Sequence, residues 1–122
     1  MVTSHLKDWI RQPIFSLIAD NGTDGALVIG AGLEDWRGLD LGAVTAELHV
    51  DGNCVRRGNG TNVMGDPLKA LVWLANACSA KGTGLIAGHV HNTGSCTEMY
   101  LAQPGDLAVA RFGGLGEAEV HF

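Results

Sequence analysis

The sequence predicts one α+β, β-rich domain, with a single long helix packed on a sheet. Three observations lead to this prediction. Apolar and polar residues alternate over Val44–Val50, a capped amphipathic helix follows at Pro67, and two apolar strands flank the glycine cluster at 113–116. Because 122 residues leave room for one hydrophobic core, we expect a single domain over residues 1–122.

The first predicted elements are a short helix and a buried strand. Pro13–Asp20 carries apolar residues at helical spacing, begins with a proline that suits the first turn, and stops at Asn21-Gly22. Ala26–Ile29 is a continuous apolar run followed by glycine, which is typical of a buried strand.

The clearest strand signal is followed by a hairpin signal. In Val44–Val50 the even positions are apolar, whereas Thr45, Glu47 and His49 share the other face. Asp51-Gly52 is a strong turn sequence for a two-residue hairpin, so Cys54–Arg57 is the predicted return strand.

The longest helix and the last strands complete the predicted fold. Asp66 caps the helix, Pro67 fits its first turn, and Lys81-Gly82 ends it. Further strands are expected within 85–92, over 107–112 and over 118–122.

Charge and composition exclude several classes of partner. The net charge is −5 and the eight basic residues are scattered, which argues against nucleic acid and acidic membrane surfaces. No apolar run approaches the roughly 20 residues of a membrane helix, and residues 1–9 have no apolar segment, so we expect neither a membrane span nor a signal peptide. Three cysteines without a CxxC spacing suggest free thiols in a reducing cytoplasm.

Histidines suggest one metal hypothesis. His89 and His91 share a face of the predicted strand, and Cys96 follows closely, so the three residues could begin a zinc site. The spacing matches no strong zinc pattern and lacks an evident fourth ligand, so half-exposed strand histidines are the preferred interpretation. Nucleophile motifs of the G-x-S-x-G type are absent, and the loop 58–60 lacks the glycines of a dinucleotide fingerprint.

Two polar, glycine-containing segments are candidates for binding an anion. Residues 19–25 join a helix end to a predicted strand, and Asn92–Ser95 ends another strand. Hydroxyl and amide groups beside glycines can present backbone N–H groups to a carboxylate. The alternative is that both segments merely cap and turn the chain.

Several fragments, in order, resemble the C-terminal part of 2-oxopent-4-enoate hydratases of the fumarylacetoacetate hydrolase superfamily. The most specific fragments are Ile18–Asn21, Met64–Ala75, Gly84–Gly88, Thr93-Gly94, Pro104–Asp106 and Gly113–Gly116. The resemblance implies a mixed β-roll of the fumarylacetoacetate hydrolase C-terminal type, with the active site in a cleft. It also implies chemistry on short 2-oxo acids with a divalent cation, Mg²⁺ or Mn²⁺, that chelates the substrate.

The site residues transferred by this resemblance are Asn21, Thr23, Thr93 and Gly94, as parts of a substrate-binding wall. Thr23 stands where the family commonly has serine. The family's metal ligands, an E-x-E pair and a later acidic residue, would fall before Met1, so we expect no catalytic residue and no metal ligand within this chain. Glu117-Ala-Glu119 matches E-x-E by letter only and lies outside the matching motif.

Three functions remain open at this stage. The preferred one is a small 2-oxo-acid binding module or remnant without hydratase activity of its own. The second is one half of a split metal-dependent hydratase, a hydro-lyase for short 2-oxo-enoic acids, completed by a partner chain. The third is a structural homo-oligomer without a ligand. In each case an uncovered apolar surface would favour a homodimer or higher oligomer.

Overall fold

The computed structural model describes Met1 and residues 3–122. It contains two α-helices and four β-strands, together with three short 3₁₀ turns. The elements are α1 (Ile14–Ala19), β1 (Thr45–Val50), β2 (Asn53–Asn59), α2 (Pro67–Ala80), β3 (Leu107–Phe112) and β4 (Gly116–His121). The predicted α+β class is therefore confirmed.

The strands form one sheet in the order β2-β1-β3-β4, and every neighbouring pair is antiparallel. The predicted β1–β2 hairpin is confirmed: Asp51 and Gly52 have φ values of 49° and 81°, as a type I′ turn requires. Only antiparallel pairs occur among the described strands, so the parallel pairing of a mixed roll is not part of this sheet.

Helix α2 begins and ends as its sequence predicts. The Asp66 carboxylate accepts a hydrogen bond of 2.8 Å from the backbone N–H of Leu68, and Pro67 fills the first helical position. Gly82 follows the end of the helix with a φ of 76°. Within the described chain, α2 makes no extensive contact with any strand, and it borders residues 91–93 instead.

Two predicted strands are wrong. Ala26–Ile29 forms no ladder, because its first residues bond the chain start: the Met1 ammonium donates to the Ala26 carbonyl at 2.6 Å. Residues 85–92 turn at Gly88 (φ 86°), where the N–H of His89 donates to the carbonyl of Ile86 at 3.1 Å. A short apolar run indicates a buried strand. It does not indicate whether another strand lies beside it to form a ladder.

The buried core is small for a domain of this length. The buried apolar residues of the described chain are Ala46, Val50, Val63 and Ala108, each 3–6 % exposed. Large apolar side chains remain exposed elsewhere, including Phe15 (81 %), Leu101 (66 %) and Trp73 (63 %). No helix in the described part of the chain has the length and apolar character needed to cross a bilayer.

Candidate functional site

One face of the sheet forms the floor of a cleft of about 550 Å³. Side chains of cross-strand partners lie on the same face, and several partners here are alanines, including the directly paired Ala110 and Ala118. Because alanine side chains are short, they leave a hollow above the strands. The lining from the strands is Ala46, Glu47, Leu48, Ala108, Ala110, Phe112, Ala118 and Val120.

Residues 90–100 form the opposite wall of the cleft, and β2 holds this wall in place. Asn62 Nδ2, just beyond β2, donates to the carbonyl of Cys96 at 2.7 Å, and Arg56 Nε donates to the carbonyl of Met99 at 3.1 Å. Gly58 lies so close to Cys96 that a side chain would meet its carbonyl. Burial raises the pKa of the Cys96 thiol, so this group stays neutral at ordinary pH.

The far end of the wall is fixed by a tyrosine. The Tyr100 hydroxyl donates to Asp106 Oδ2 at 3.1 Å, immediately before β3 begins. Burial of the ring and this hydrogen bond to Asp106 both raise the pKa of Tyr100. The wall is therefore anchored at Cys96 and at its C-terminal end, although it contains no regular secondary structure.

Thr93 and Gly94, two of the predicted site residues, lie in this wall and line the cleft. Asn92 Oδ1 accepts a hydrogen bond of 3.0 Å from the backbone N–H of Gly94. Gly94 has a φ of 139° and packs against Val63, where a Cβ would come within 3.1 Å of a valine methyl group. A glycine is needed here because both the backbone conformation and the space exclude a side chain.

His91 lies between the cleft and a smaller hollow of about 250 Å³ beside α2, and it lines both. Its Nε2 atom is buried and has no hydrogen-bond partner among the described residues. A buried polar atom without a partner loses free energy, and a ligand that bonds to it would recover that loss. From the sequence, His91 is interpreted as a half-exposed strand histidine or a zinc ligand. The cleft beside it could not be predicted, because segments distant in the chain form it.

The histidine–cysteine zinc hypothesis receives no support from the geometry. The rings of His89 and His91 have centroids 6.3 Å apart. Within the described residues, neither histidine joins Cys96 in a group of ligand atoms that lie within 4.8 Å of one another.

The other two predicted site residues, Asn21 and Thr23, lie in a 3₁₀ turn outside the lining of the cleft. Thr23 is buried, and its carbonyl accepts a hydrogen bond of 3.0 Å from the N–H of Thr3. The chain runs on from this turn to Leu27 and Val28, which do line the cleft. Of the four predicted site residues, Thr93 and Gly94 thus line the cleft, whereas Asn21 and Thr23 do not.

The lining offers a poor set of ligands for the Mg²⁺ or Mn²⁺ that the resemblance implies. Hard cations prefer several oxygen ligands, and the acidic residues around the cleft are Glu47 and Glu98. The Glu47 carboxylate bonds to His49 and Arg57 instead. The described lining therefore does not fit such a cation, and the cleft is better suited to neutral hydrogen bonds and apolar contact.

Comparison with known proteins identifies relatives over the whole chain. A 2-keto-4-pentenoate hydratase from Paraburkholderia phymatum is 36 % identical over 122 residues, which are 100 % of this chain and 46 % of that protein. The chain thus spans about half the length of the curated relatives it matches.

Solved structures agree with this comparison. The 4-oxalocrotonate decarboxylase from Pseudomonas putida G7, complexed with calcium and acetate, has a TM-score of 0.79 and 30 % identity, covering 88 % of this chain and 41 % of that chain. A structure of the same enzyme complexed with magnesium and adipate matches equally well. The family model described as fumarylacetoacetate (FAA) hydrolase C-terminal matches residues 2–122, and the chain therefore belongs to this family.

Proposed function

We propose that this chain is a hydratase-like domain that binds a small 2-oxo acid in the cleft and is not an autonomous hydratase. The observation that carries the proposal is the buried, unpartnered Nε2 of His91, next to Thr93 and Gly94 on the cleft wall. A 2-oxo acid offers carboxylate and carbonyl oxygens, which can accept hydrogen bonds from the imidazole and from the Thr93 hydroxyl.

The cleft also suits the carbon chain of such an acid. Its floor is alanine-rich, so a short hydrocarbon segment can lie against the sheet and leave water. No lysine or arginine is part of the described lining, so the carboxylate would be held by neutral donors and by histidine. Asn21 and Thr23 remain proposed site residues, because their turn leads directly to Leu27 at the cleft edge.

Relatives support the ligand class. The decarboxylase structures are complexed with small carboxylic acids, acetate and adipate, and with calcium or magnesium. If a cation were supplied with its ligands by another chain, it would polarise the substrate's oxygen atoms. Any activity would then be that of a hydro-lyase on short 2-oxo-enoic acids.

A thermal-shift titration tests the proposed ligand. We expect pyruvate or oxalate, added without metal, to raise the melting temperature; at 100 times Kd a ligand adds about 2.7 kcal/mol, or about 10 °C for this chain. His91→Ala and Thr93→Val should remove the shift, whereas the neighbouring His89→Ala should keep it. Shifts that require Mg²⁺ or Mn²⁺ would indicate a chelating site, and no shift at all would contradict binding.

A second candidate is one half of a split hydratase, with a partner chain supplying the acidic ligands. One observation favours it: large apolar side chains such as Phe15 and Trp73 are exposed, as a surface that a partner chain covers would be. Hydratase activity that appears only on mixing with a partner would support this candidate. A chain that self-associates but binds no acid would instead be a structural homo-oligomer.

Assembly and location are also proposals. We infer a homodimer or higher oligomer, because exposed apolar area favours association at roughly 25 cal/mol per Å² of area removed from water. We infer a cytoplasmic location from three free cysteines, Cys54, Cys78 and Cys96, which a reducing compartment keeps as thiols.

A further inference from the structure

The β1–β2 hairpin carries a cluster of three potential metal ligands. Glu47, His49 and Cys54 each offer one ligand atom, and these atoms all lie within 4.8 Å of one another. His49 Nε2 is 2.8 Å from Glu47 Oε2. Glu47 and His49 alternate along β1 with the floor residues Ala46 and Leu48, so their side chains leave the strand on the other face, although Glu47 also borders the cleft.

The two-residue turn places Cys54 opposite His49, and an irregularity further along the hairpin adds Arg57 to the same face. Leu48 pairs with Arg56 and His49 pairs with Cys54, so Val55 is an extra residue in β2. Because side chains alternate along a strand, Cys54 and Arg57 would lie on opposite faces of a regular β2. Cys54 shares the face of Glu47 and His49 because it pairs with His49, and the bulge brings Arg57 to that face as the partner of Glu47.

A cationic side chain already lies between two of these ligands. Arg57 Nε is 3.2 Å from Cys54 Sγ and 3.2 Å from Glu47 Oε1. The Arg57 side chain is 74 % exposed, so it can swing into solvent without disturbing the sheet. The hydrogen bond from His49, and the charge of Arg57 to a smaller extent, hold the pKa of Glu47 below its usual range, so its carboxylate is ionised.

We propose that Glu47, His49 and Cys54 form a Zn²⁺ site, which Arg57 occupies in the metal-free protein. Thiolate, imidazole and carboxylate are all zinc ligands, and three protein ligands with a free fourth position are typical of exposed, reactive zinc. In a tetrahedral site with bonds of 2.0–2.3 Å, ligand atoms lie about 3.3–3.8 Å apart. The cluster needs to contract by only about 1 Å, which side-chain rotation can supply.

The ligand set distinguishes this site from a hard-cation site. Calcium and magnesium, present in the decarboxylase structures, take oxygen ligands, whereas a thiolate and an imidazole favour softer transition metals. Zn²⁺ would also link β1 to β2 and replace the guanidinium charge between Cys54 and Glu47. This inference does not rest on the 2-oxo-acid proposal, since it uses Glu47, His49 and Cys54 of the hairpin and not the wall residues His91, Thr93 and Gly94.

Titration of the metal-free 122-residue chain with Co²⁺ tests the site, because a cobalt–thiolate bond gives a near-ultraviolet charge-transfer band. We expect the band at one equivalent and its loss on adding Zn²⁺. Cys54→Ser should abolish it, and His49→Gln or Glu47→Gln should weaken metal affinity about tenfold or more. Cys78→Ser and Cys96→Ser are matched controls that should keep the band.

Arg57→Ala gives a test that misfolding cannot mimic, because it predicts a gain. Removing a competing positive charge should tighten Co²⁺ and Zn²⁺ binding by about three- to tenfold. No thiolate band in the wild-type chain, a band that survives Cys54→Ser, or weaker binding by Arg57→Ala would each overturn the proposal.

Discussion

Gly58 is the position where one added methyl group should test the cleft wall. A Cβ at Gly58 would lie 2.0 Å from the carbonyl oxygen of Cys96 and 2.8 Å from Asn62 Nδ2. Both neighbours belong to the hydrogen bond that ties the wall to the end of β2. Gly58→Ala should therefore push residues 92–97 away from the sheet, while the β1–β3 ladder stays intact.

The size of the effect follows from these distances. Ordinary contact begins near 3.4 Å, so the Cys96 carbonyl must withdraw by about 1.4 Å. Losing the Asn62 hydrogen bond costs about 0.5–1.5 kcal/mol, and overpacking costs about 1–3 kcal/mol. We expect Gly58→Ala to lower the free energy of unfolding by about 2–4 kcal/mol, which is about 8–16 °C in melting temperature.

Thermal unfolding of Gly58→Ala, followed by circular dichroism, measures this loss of stability. Titration of the same variant with oxalate measures the affinity of the cleft for an acid. Asn62→Ala, which removes the hydrogen bond without overpacking, should cost only about 1 kcal/mol. Gly84→Ala is the matched control, because a Cβ there meets no atom within 4 Å. If Gly58→Ala melts within about 2 °C of the wild-type chain, the wall does not lie against β2 as described.

Three further outcomes are expected. Asp66→Ala should lose the N-cap of α2 and about 1 kcal/mol of stability in thermal unfolding. Hydrogen bonds from the Ser4 hydroxyl and, to a smaller extent, from His5 lower the pKa of Asp20. The ionised carboxylate therefore stabilises the fold above the ordinary pKa of aspartate, and this stabilisation is lost as the pH falls through the lowered pKa. Asp20→Asn should flatten the acid limb of a stability–pH curve. Sedimentation equilibrium should show a dimer or larger species at micromolar concentration, Phe15→Ser should weaken it, and a wild-type monomer would contradict the proposed association.

Elements fixed by neighbouring residues could be predicted from the sequence. The Asp51-Gly52 turn and the Asp66-Pro67 helix start depend on residues adjacent in the chain, and both are confirmed. The strand predicted at 26–29 depended on a distant partner; the nearby Gly30 lies against the Glu117 carbonyl of β4, yet no ladder forms. Turns and helix caps can be predicted from adjacent residues, whereas the pairing of strands distant in the chain cannot.

The candidate sites differ in the same way. Thr93 and Gly94 were found through motifs that resemble a family, and they line the cleft. The cluster of Glu47, His49 and Cys54 was not identified from the sequence, although the two-residue turn already pairs Cys54 with His49. The position of Arg57 was hidden, because only the bulge at Val55 brings it to that face, and nothing in the local sequence marks the bulge.

If the chain both binds an acid in the cleft and self-associates, the residues that line the cleft predict that the two processes are linked. The floor of the cleft consists of strands that are hydrogen-bonded to one another within the sheet. Leu27, Val90 and Met99, which we call the rim of the cleft, are exposed and lie outside any strand. If a second chain covers and orders this rim, it removes part of the entropy cost of binding an acid there. Linkage then requires the acid to strengthen association by the same factor. We therefore expect oxalate to lower the dimer dissociation constant in sedimentation equilibrium. An unchanged constant at saturating oxalate would mean that the rim and the association surface are separate.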